Sequence, residues 1–328
     1  MVRLDTLNDI YAGVSEELSE VSARLSRTVS HCFELLGDSA YGRDMLRGKL
    51  VRPALALMCA KLYSDDVSDL LDLATASELV HIATLIHDDV VDRAEMRRGI
   101  SSVNARWDDK SAVLSGDRIV CEGLLLLSKY RAIGAAEVML AALKRVVEGE
   151  MRQLHPHHTL DEATCVEVAR EKTGTLIAAV CQLPVMWFGA ETVCVEALAQ
   201  FGNYFGTAFQ LVDDLLDLTG EEFTLGKIPL SDIRNGKRTL PLVYLQDIIS
   251  SDTAAKRRFS EFINADSGRE SDAVWLSELI RDSGCADRTL STASTYIARA
   301  KQCLEPFSDS RAKDALLNLS DFVIDRKR

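Results

Sequence analysis

Apolar residues recur at spacings of three and four along almost the whole chain. Leu4, Leu7, Ile10, Tyr11, Val14, Leu18, Val21 and Leu25 make one stripe through residues 5–36, the period of an α-helix with one buried face. The same period marks segments near 50–62, 67–92, 111–132, 135–153, 161–181, 193–218 and 238–249, then shorter ones near 253–264, 272–282, 287–304 and 310–326. No segment alternates apolar and polar residues between hairpin turns. The pattern therefore predicts an all-α fold. Segments 75–87, 111–127 and 176–188 are apolar almost all round, as in helices buried centrally or at a subunit interface. No linker rich in Pro, Ser or Gly divides the chain, so residues 1–328 read as a single large helical domain. Two long irregular stretches remain, 97–109 and 219–238, and long loops in compact folds often carry function.

Composition narrows the class. The 328 residues are 47% apolar and 27% charged, with only 6 Pro and 18 Gly, which suits long helices and few tight turns. A formal charge of −12 with no basic stripe argues against a nucleic-acid reader. The eight cysteines include no Cys-x-x-Cys pair and read as buried, reduced residues of a cytosolic protein. No apolar run approaches the length of a membrane span. The start lacks an apolar signal core, and the acids that follow argue against a transit peptide. The expected location is the cytoplasm.

Three stretches have the pattern Asp-Asp-x-x-Asp. Asp88-Asp89-Val90-Val91-Asp92 is followed by Arg97-Arg98-Gly99, and Asp213-Asp214-Leu215-Leu216-Asp217 by Gly226-Lys227 and Lys237. Both lie in strongly apolar helical sequence, where carboxylates are costly to bury without cations. Asp65-Asp66-Val67-Ser68-Asp69 has the same spacing but no basic cluster after it and a helix start ahead of it. That copy reads as structural, because acids are stabilised at a helix N-terminus.

Positions i and i+4 share a helix face. Asp88 therefore projects with Asp92, and Asp213 with Asp217, while Asp89 and Asp214 sit about 100° around and take supporting roles. Two such helices facing each other across a cavity would present four converging carboxylates, hard oxygen ligands suited to several Mg²⁺ ions rather than to zinc. Lys49 and Arg52 in the Gly48–Pro53 stretch, Lys172-Thr173, Lys227 and Lys237 supply cations. They exceed what one diphosphate needs beside its metals and point to two diphosphate sites.

The ordered motifs from Gly48 to Pro241 resemble the trans-isoprenyl diphosphate synthases of the polyprenyl synthetase family. They are Gly48-Lys49-x-x-Arg52-Pro53, Glu78-Leu79-Val80-His81, the first aspartate motif with Arg97-Arg98-Gly99, Gly116-Asp117, Gly149-Glu150, Lys172-Thr173-Gly174, Phe209-Gln210-Leu211-Val212 with the second aspartate motif, Leu225-Gly226-Lys227, and Gly236-Lys237-Arg238-Thr239-Leu240-Pro241. The resemblance implies the isoprenoid synthase fold, antiparallel helices around a deep central cavity. It implies that Lys49, Arg52, His81 and Arg98 hold isopentenyl diphosphate, and that Arg97, Lys172, Thr173, Gln210 and Lys227 hold the allylic diphosphate with Lys237 nearby. Asp88, Asp92 and Asp213 would be the principal Mg²⁺ ligands and Asp217 the fourth. Asp88, Asp92, Asp213, Lys172 and Lys227 would carry catalysis. The chain departs from the family pattern at Arg47 and Leu230, where Gly is common.

The implied reaction is ionisation of the allylic diphosphate, attack by the double bond of isopentenyl diphosphate, and loss of a proton, with water excluded. Short-chain relatives place bulky aromatics four and five residues before the first aspartate; Thr84 and Ala83 stand there. The stretch 83–92 looks most like long-chain members (C30 and above) that make quinone side chains. A medium-chain, geranylgeranyl-type synthase is the alternative product reading. A homodimer is expected, with helix 111–127 at its interface. A regulatory subunit would lack aspartates that are present here, and a terpene cyclase would not need Lys49, Arg52 and the second motif. His87 reads as structural, and His155-Pro156-His157-His158 as an exposed turn.

Overall fold

The computed structural model describes residues 6–46, 48–154, 161–219, 233, 237–263 and 270–325, with side chains throughout except at 263 and 270–273. The chain is helical apart from one two-stranded hairpin among the described residues. It divides into two compact units, one of residues 1–141, 177–202 and 303–319, the other of 142–176, 203–302 and 320–328.

The first unit opens with α1 (Leu7–Ile10) and α2 (Ser15–Glu34), separated by a 3₁₀ turn. The uninterrupted helix expected over 5–36 is thus broken at Tyr11. Thr6 caps α1 in a reciprocal pair with Asp9, an arrangement that satisfies two end donors at once. The stripe on α2 is buried as its spacing requires: Leu18, Val21, Leu25, Val29 and Phe33. Then follow α3 (Ser39–Asp44), α4 (Val51–Ala60) and α5 (Leu71–Val91). Pro53 sits in the first turn of α4, where its missing N–H removes no helical bond. Helix α5 is the central element, packed on α2, α4 and α7 (Asp109–Leu127). Between α5 and α7 lie β1 (Met96–Arg97), β2 (Ile100–Ser101) and α6 (Val103–Arg106). So the stretch 97–109, expected to be irregular, is a hairpin and a short helix.

Residues 68–91 correct a further expectation. They are long and apolar enough to cross a membrane, at mean hydropathy 1.2, yet 72% of the relevant window is buried inside the protein. An apolar helix so enclosed is a core helix.

A helix shared between the units, α8 (Ala135–Leu154), leads into the second, which contains α9 (Glu162–Ala169), a single π turn at Arg170–Gly174, and the start of α10 (Thr175–Trp187). The helix expected over 161–181 is therefore interrupted. Helix α11 (Thr192–Thr219) contributes its part from Asn203 onward. The unit continues with α12 (Leu240–Ile248), α13 (Thr253–Ile263), α14 (Glu270–Asp282) and α15 (Cys285–Gln302), and takes the end of α16 (Arg311–Asp325). Helix α12 packs on α9 and α15. There the Tyr244 hydroxyl lies 2.9 Å from Thr292 Oγ1, and the Arg288 guanidinium sits 3.8 Å over the Tyr244 ring. Five of the eight cysteines are buried: Cys32, Cys59, Cys165, Cys181 and Cys285.

Candidate active site

The first aspartate motif occupies the end of α5. Asp88 and Asp89 lie in the last turn and Asp92 is the C-cap, its N–H bonded to the Asp88 carbonyl at 2.8 Å. The negative pole of a helix is a poor place for three carboxylates, and the last turn of α5 holds no basic residue. Cations must come from elsewhere, and the hairpin brings one. Arg97 donates from Nε at 2.9 Å and Nη2 at 2.5 Å to Asp89 Oδ1. Asp89 is only 3% exposed. Burial pushes its carboxyl up, Arg97 opposes this, and the net shift is upward. Asp88 and Asp92 are half-buried and flank this pair.

The hairpin joins Arg97 to Ile100 through Arg98 (φ 52°) and Gly99 (φ 81°). Positive φ at both central residues defines a type I′ turn, whose first position favours Asn, Asp or Gly. Arginine in the left-handed region costs about 1–3 kcal/mol and signals a site that needs this side chain. Its guanidinium packs against the motif at Gly48, where an added Cβ would stand 2.8 Å from Arg98 Nη1. Leu50, between Lys49 and Arg52, is also left-handed at φ 48°.

One turn apart on α5 lie Glu78, buried, and His81, half-buried. Burial pushes the Glu78 carboxyl up, with Arg52 and Arg98 pulling it down. Burial first, then the charges of Arg52, Arg98 and Arg97, hold His81 well below its ordinary value. His81 is therefore neutral near pH 7, able to donate one hydrogen bond and accept another. Burial also lowers Arg98, against the pull of Glu78. The sequence-predicted residues Arg52 and Arg98 thus act on both Glu78 and His81, and the charge of Arg97 reaches His81. Thr84 shares the partly open face of α5 with His81 and Asp88, while Ala83 is fully buried. His87 turns to α7, 3.2 Å from the Val113 carbonyl and 3.4 Å from Asp117 Oδ1.

The second motif lies on α11. Asp213 is half-buried, whereas Asp217 is 1% exposed. Gln210 donates from Nε2 to Asp214 Oδ1 at 2.7 Å, and the Thr173 hydroxyl donates to Gln210 Oε1 at 2.6 Å. That reach exists because the π turn and α11 touch backbone to backbone; a Cβ on Gly206 would stand 2.7 Å from Gly174 Cα. Lys172, on the same turn, donates to Glu150 Oε1 at 2.6 Å and Gln153 Oε1 at 2.7 Å. Its neighbour Glu171 is fully buried and paired with Arg152 at 3.3 Å and Arg145 at 3.5 Å. π turns recur at functional sites. Lys237 is buried just before α12. Lys227, Arg47, Leu230 and the histidines at 155, 157 and 158 lie outside the described residues.

Among the described residues, no three His, Cys, Asp or Glu side chains are gathered closely enough to hold a metal ion unaided. Asp88 and Asp92 belong to the first unit and Asp213 and Asp217 to the second, and each motif offers carboxylate oxygens as donors. That donor set suits a hard cation that completes its shell with water and phosphate.

Sequence reasoning gave no role to Glu150, Gln153, Glu171, Arg145 or Arg152. Gly149-Glu150 was a visible motif, but nothing in the chain links it to Lys172.

A polyprenyl synthetase profile matches residues 39–280, and the chain belongs to that family. Its members are all-α trans-polyprenyl diphosphate synthases, which are prenyltransferases. The chain is 33% identical over 98% of its length to the decaprenyl-diphosphate synthase of Dictyostelium discoideum, covering 72% of that protein. It is 31% identical over 97% of its length to the heptaprenyl diphosphate synthase component 2 of Geobacillus stearothermophilus, covering 98% of that protein. The crystal structure of a polyprenyl synthase from Caulobacter crescentus, complexed with calcium and isoprenyl diphosphate, superposes with a TM-score of 0.89 at 31% identity over 100% of both chains.

Proposed function

We propose that this chain adds isopentenyl diphosphate units head-to-tail to an allylic diphosphate, forming an all-trans polyprenyl diphosphate of C30 or longer, with Mg²⁺ as its cation. In this reading residues 1–328 form one catalytic domain, and the two aspartate motifs work on a single leaving diphosphate. The observation that carries it is the doubling of the machinery: each acid-bearing helix has its own set of basic and hydrogen-bonding partners. Bound Mg²⁺ supplies charge neutralisation to the departing diphosphate.

The chain's own residues do the rest. Lys49, Arg52, His81 and Arg98 hold isopentenyl diphosphate. His81, kept neutral, donates a hydrogen bond without adding charge. Lys172, Thr173, Gln210, Lys227 and Lys237 hold the allylic diphosphate, and Arg97 is fixed beside it by Asp89. Asp88, Asp92, Asp213 and Asp217 are the metal ligands, with the enclosed Asp217 least accessible. As the allylic C–O bond breaks, these fixed donors stabilise the charge that develops on the leaving oxygens. The double bond of isopentenyl diphosphate then attacks the cation, and the released pyrophosphate takes the proton. Water must be kept from the cation for this step to succeed.

Product length rests on small residues near the first motif, with Thr84 on its face of α5. The relatives carry product names from geranylgeranyl to decaprenyl, so names alone leave a medium-chain product as the alternative. A homodimer is part of this reading, and what supports it is α7, where Leu114 and Leu125 are 67% and 64% exposed on one stripe with Cys121, apolar area of a kind that favours a partner. In this reading the chain works in the cytoplasm, where cysteines stay reduced.

A second reading has one observation behind it. A relative of full-length similarity is named as component 2 of its synthase, which favours a catalytic subunit that needs a partner chain. The purified chain is incubated with Mg²⁺, labelled isopentenyl diphosphate and C5 to C20 primers, and its products are sized. Long labelled chains support the proposal. Absence of product from every primer refutes a self-sufficient enzyme, and activity restored by a host lysate supports the second reading.

A further inference from the structure

Lys172 is held in an unusual way. Glu150 and Gln153 are three apart near the end of α8, on one face of the helix, and both accept hydrogen bonds from its ammonium, at 2.6 and 2.7 Å. An ammonium has three donors and rotates freely about its last bond. Two fixed acceptors stop that rotation and leave one N–H in a set direction. Helix α8 is pressed against the π turn here: a Cβ on Gly149 would stand 2.9 Å from Glu171 Cβ, 3.1 Å from Lys172 Cγ and 3.3 Å from the Lys172 backbone N. Glu171, buried under Arg145 and Arg152, anchors the turn from below. On the other side Thr173 is tied to Gln210, and Gln210 to Asp214 of the second motif. The Lys172–Glu150 pair is nearly neutral as a unit. It cannot recruit a diphosphate by bulk charge; it can only aim a donor.

We propose that Glu150 and Gln153 are positioning residues that aim the remaining N–H of Lys172 at the allylic diphosphate. This rests on the reading of Lys172 as an allylic-diphosphate ligand. It assigns a role to the Gly149-Glu150 motif: the glycine brings α8 close enough, and the glutamate supplies the acceptor. Direction, rather than the charge of Glu150, is what matters.

Steady-state kinetics on Glu150→Gln, Glu150→Leu, Gln153→Leu and Lys172→Ala test it, each variant first checked for helical content by circular dichroism. Glu150→Gln keeps an acceptor oxygen and should leave the allylic KM within about 3-fold of the parent. Glu150→Leu should raise it about 10-fold or more, the usual cost of losing a hydrogen bond to a charged group, with the isopentenyl diphosphate KM unmoved. Gln153→Leu should act in the same direction, and it carries the test if Glu150→Leu does not fold. An allylic KM unchanged in the leucine variants, a Glu150→Gln as impaired as Glu150→Leu, or a parallel rise for both substrates would overturn the proposal. Lys172→Ala separates the failures. If it spares the allylic KM, the assignment of Lys172 is wrong and the proposal falls with it. If it raises KM while the leucine variants do not, only the positioning role is lost.

Discussion

Replacing Arg97 with Ala strips the guanidinium from a carboxylate that is 3% exposed. Breaking a buried ion pair from one side costs about 3–5 kcal/mol, since the remaining charge is left uncompensated. Asp89 has an escape, because it can take a proton. From an ordinary carboxyl value of 3.8, holding that proton at pH 7 costs about 4 kcal/mol at roughly 1.4 kcal/mol per pH unit. The same route at pH 5 costs only about 2 kcal/mol. The penalty of Arg97→Ala should therefore reach at most about 4 kcal/mol at pH 7 and shrink to at most about 2 kcal/mol at pH 5. The sign follows from the direction of the shift. A carboxyl raised in the folded state binds more protons folded than unfolded, so its contribution to stability falls as pH rises above 3.8. Asp89→Asn should cost less than Arg97→Ala. Burial of Asp89 already outweighs the pull of Arg97, and the side chain of Arg97, 32% exposed, can turn to water. Urea unfolding of the three proteins at both pH values reads these differences. A penalty under about 0.5 kcal/mol, the scale of an exposed pair, or one equal at both pH values, would refute the reasoning.

Other outcomes follow from the same geometry. Thr84→Phe should shorten the product, while Ala83→Phe, at a fully buried position, should also lower the urea midpoint by about 1–3 kcal/mol in stability; sized products from both variants check this. His81 is held below its ordinary 6.5, so the unfolded chain gains a proton that the folded one refuses, and stability should fall as pH drops below 6.5. His81→Gln should therefore lose less stability than the parent between pH 7.5 and 5.5, by urea unfolding, and equal losses would count against the assignment. Asp213→Ala should lower kcat on the order of 100-fold or more with helical content intact, and a small effect would remove it from the reacting centre.

Most of the fold was legible because buried stripes recur with helical period, as on α2 and α11. The misses have local causes. Helix α3 has six residues and rests on the Asp38 cap, too short for a stripe to show. The hairpin was hidden because Arg98 occupies a turn position that Asn or Gly would have advertised. The π turn leaves no mark on periodicity beyond one extra residue. Both aspartate motifs were legible, since carboxylates at helical spacing in apolar sequence are conspicuous. Their supporting groups were not. Glu150 and Gln153 reach Lys172 across a sequence separation that only folding closes, and the enclosure of Asp217 depends on packing that spacing does not encode.

The central claim is that the two acid-bearing helices act on one leaving diphosphate. A crystal structure with Mg²⁺ and a non-ionisable thiolo analogue of an allylic diphosphate tests it most directly. The account predicts a single diphosphate whose metal ions are bound by Asp88 and Asp92 together with Asp213. Metal ions confined to one motif, or a diphosphate seated away from both, would contradict it.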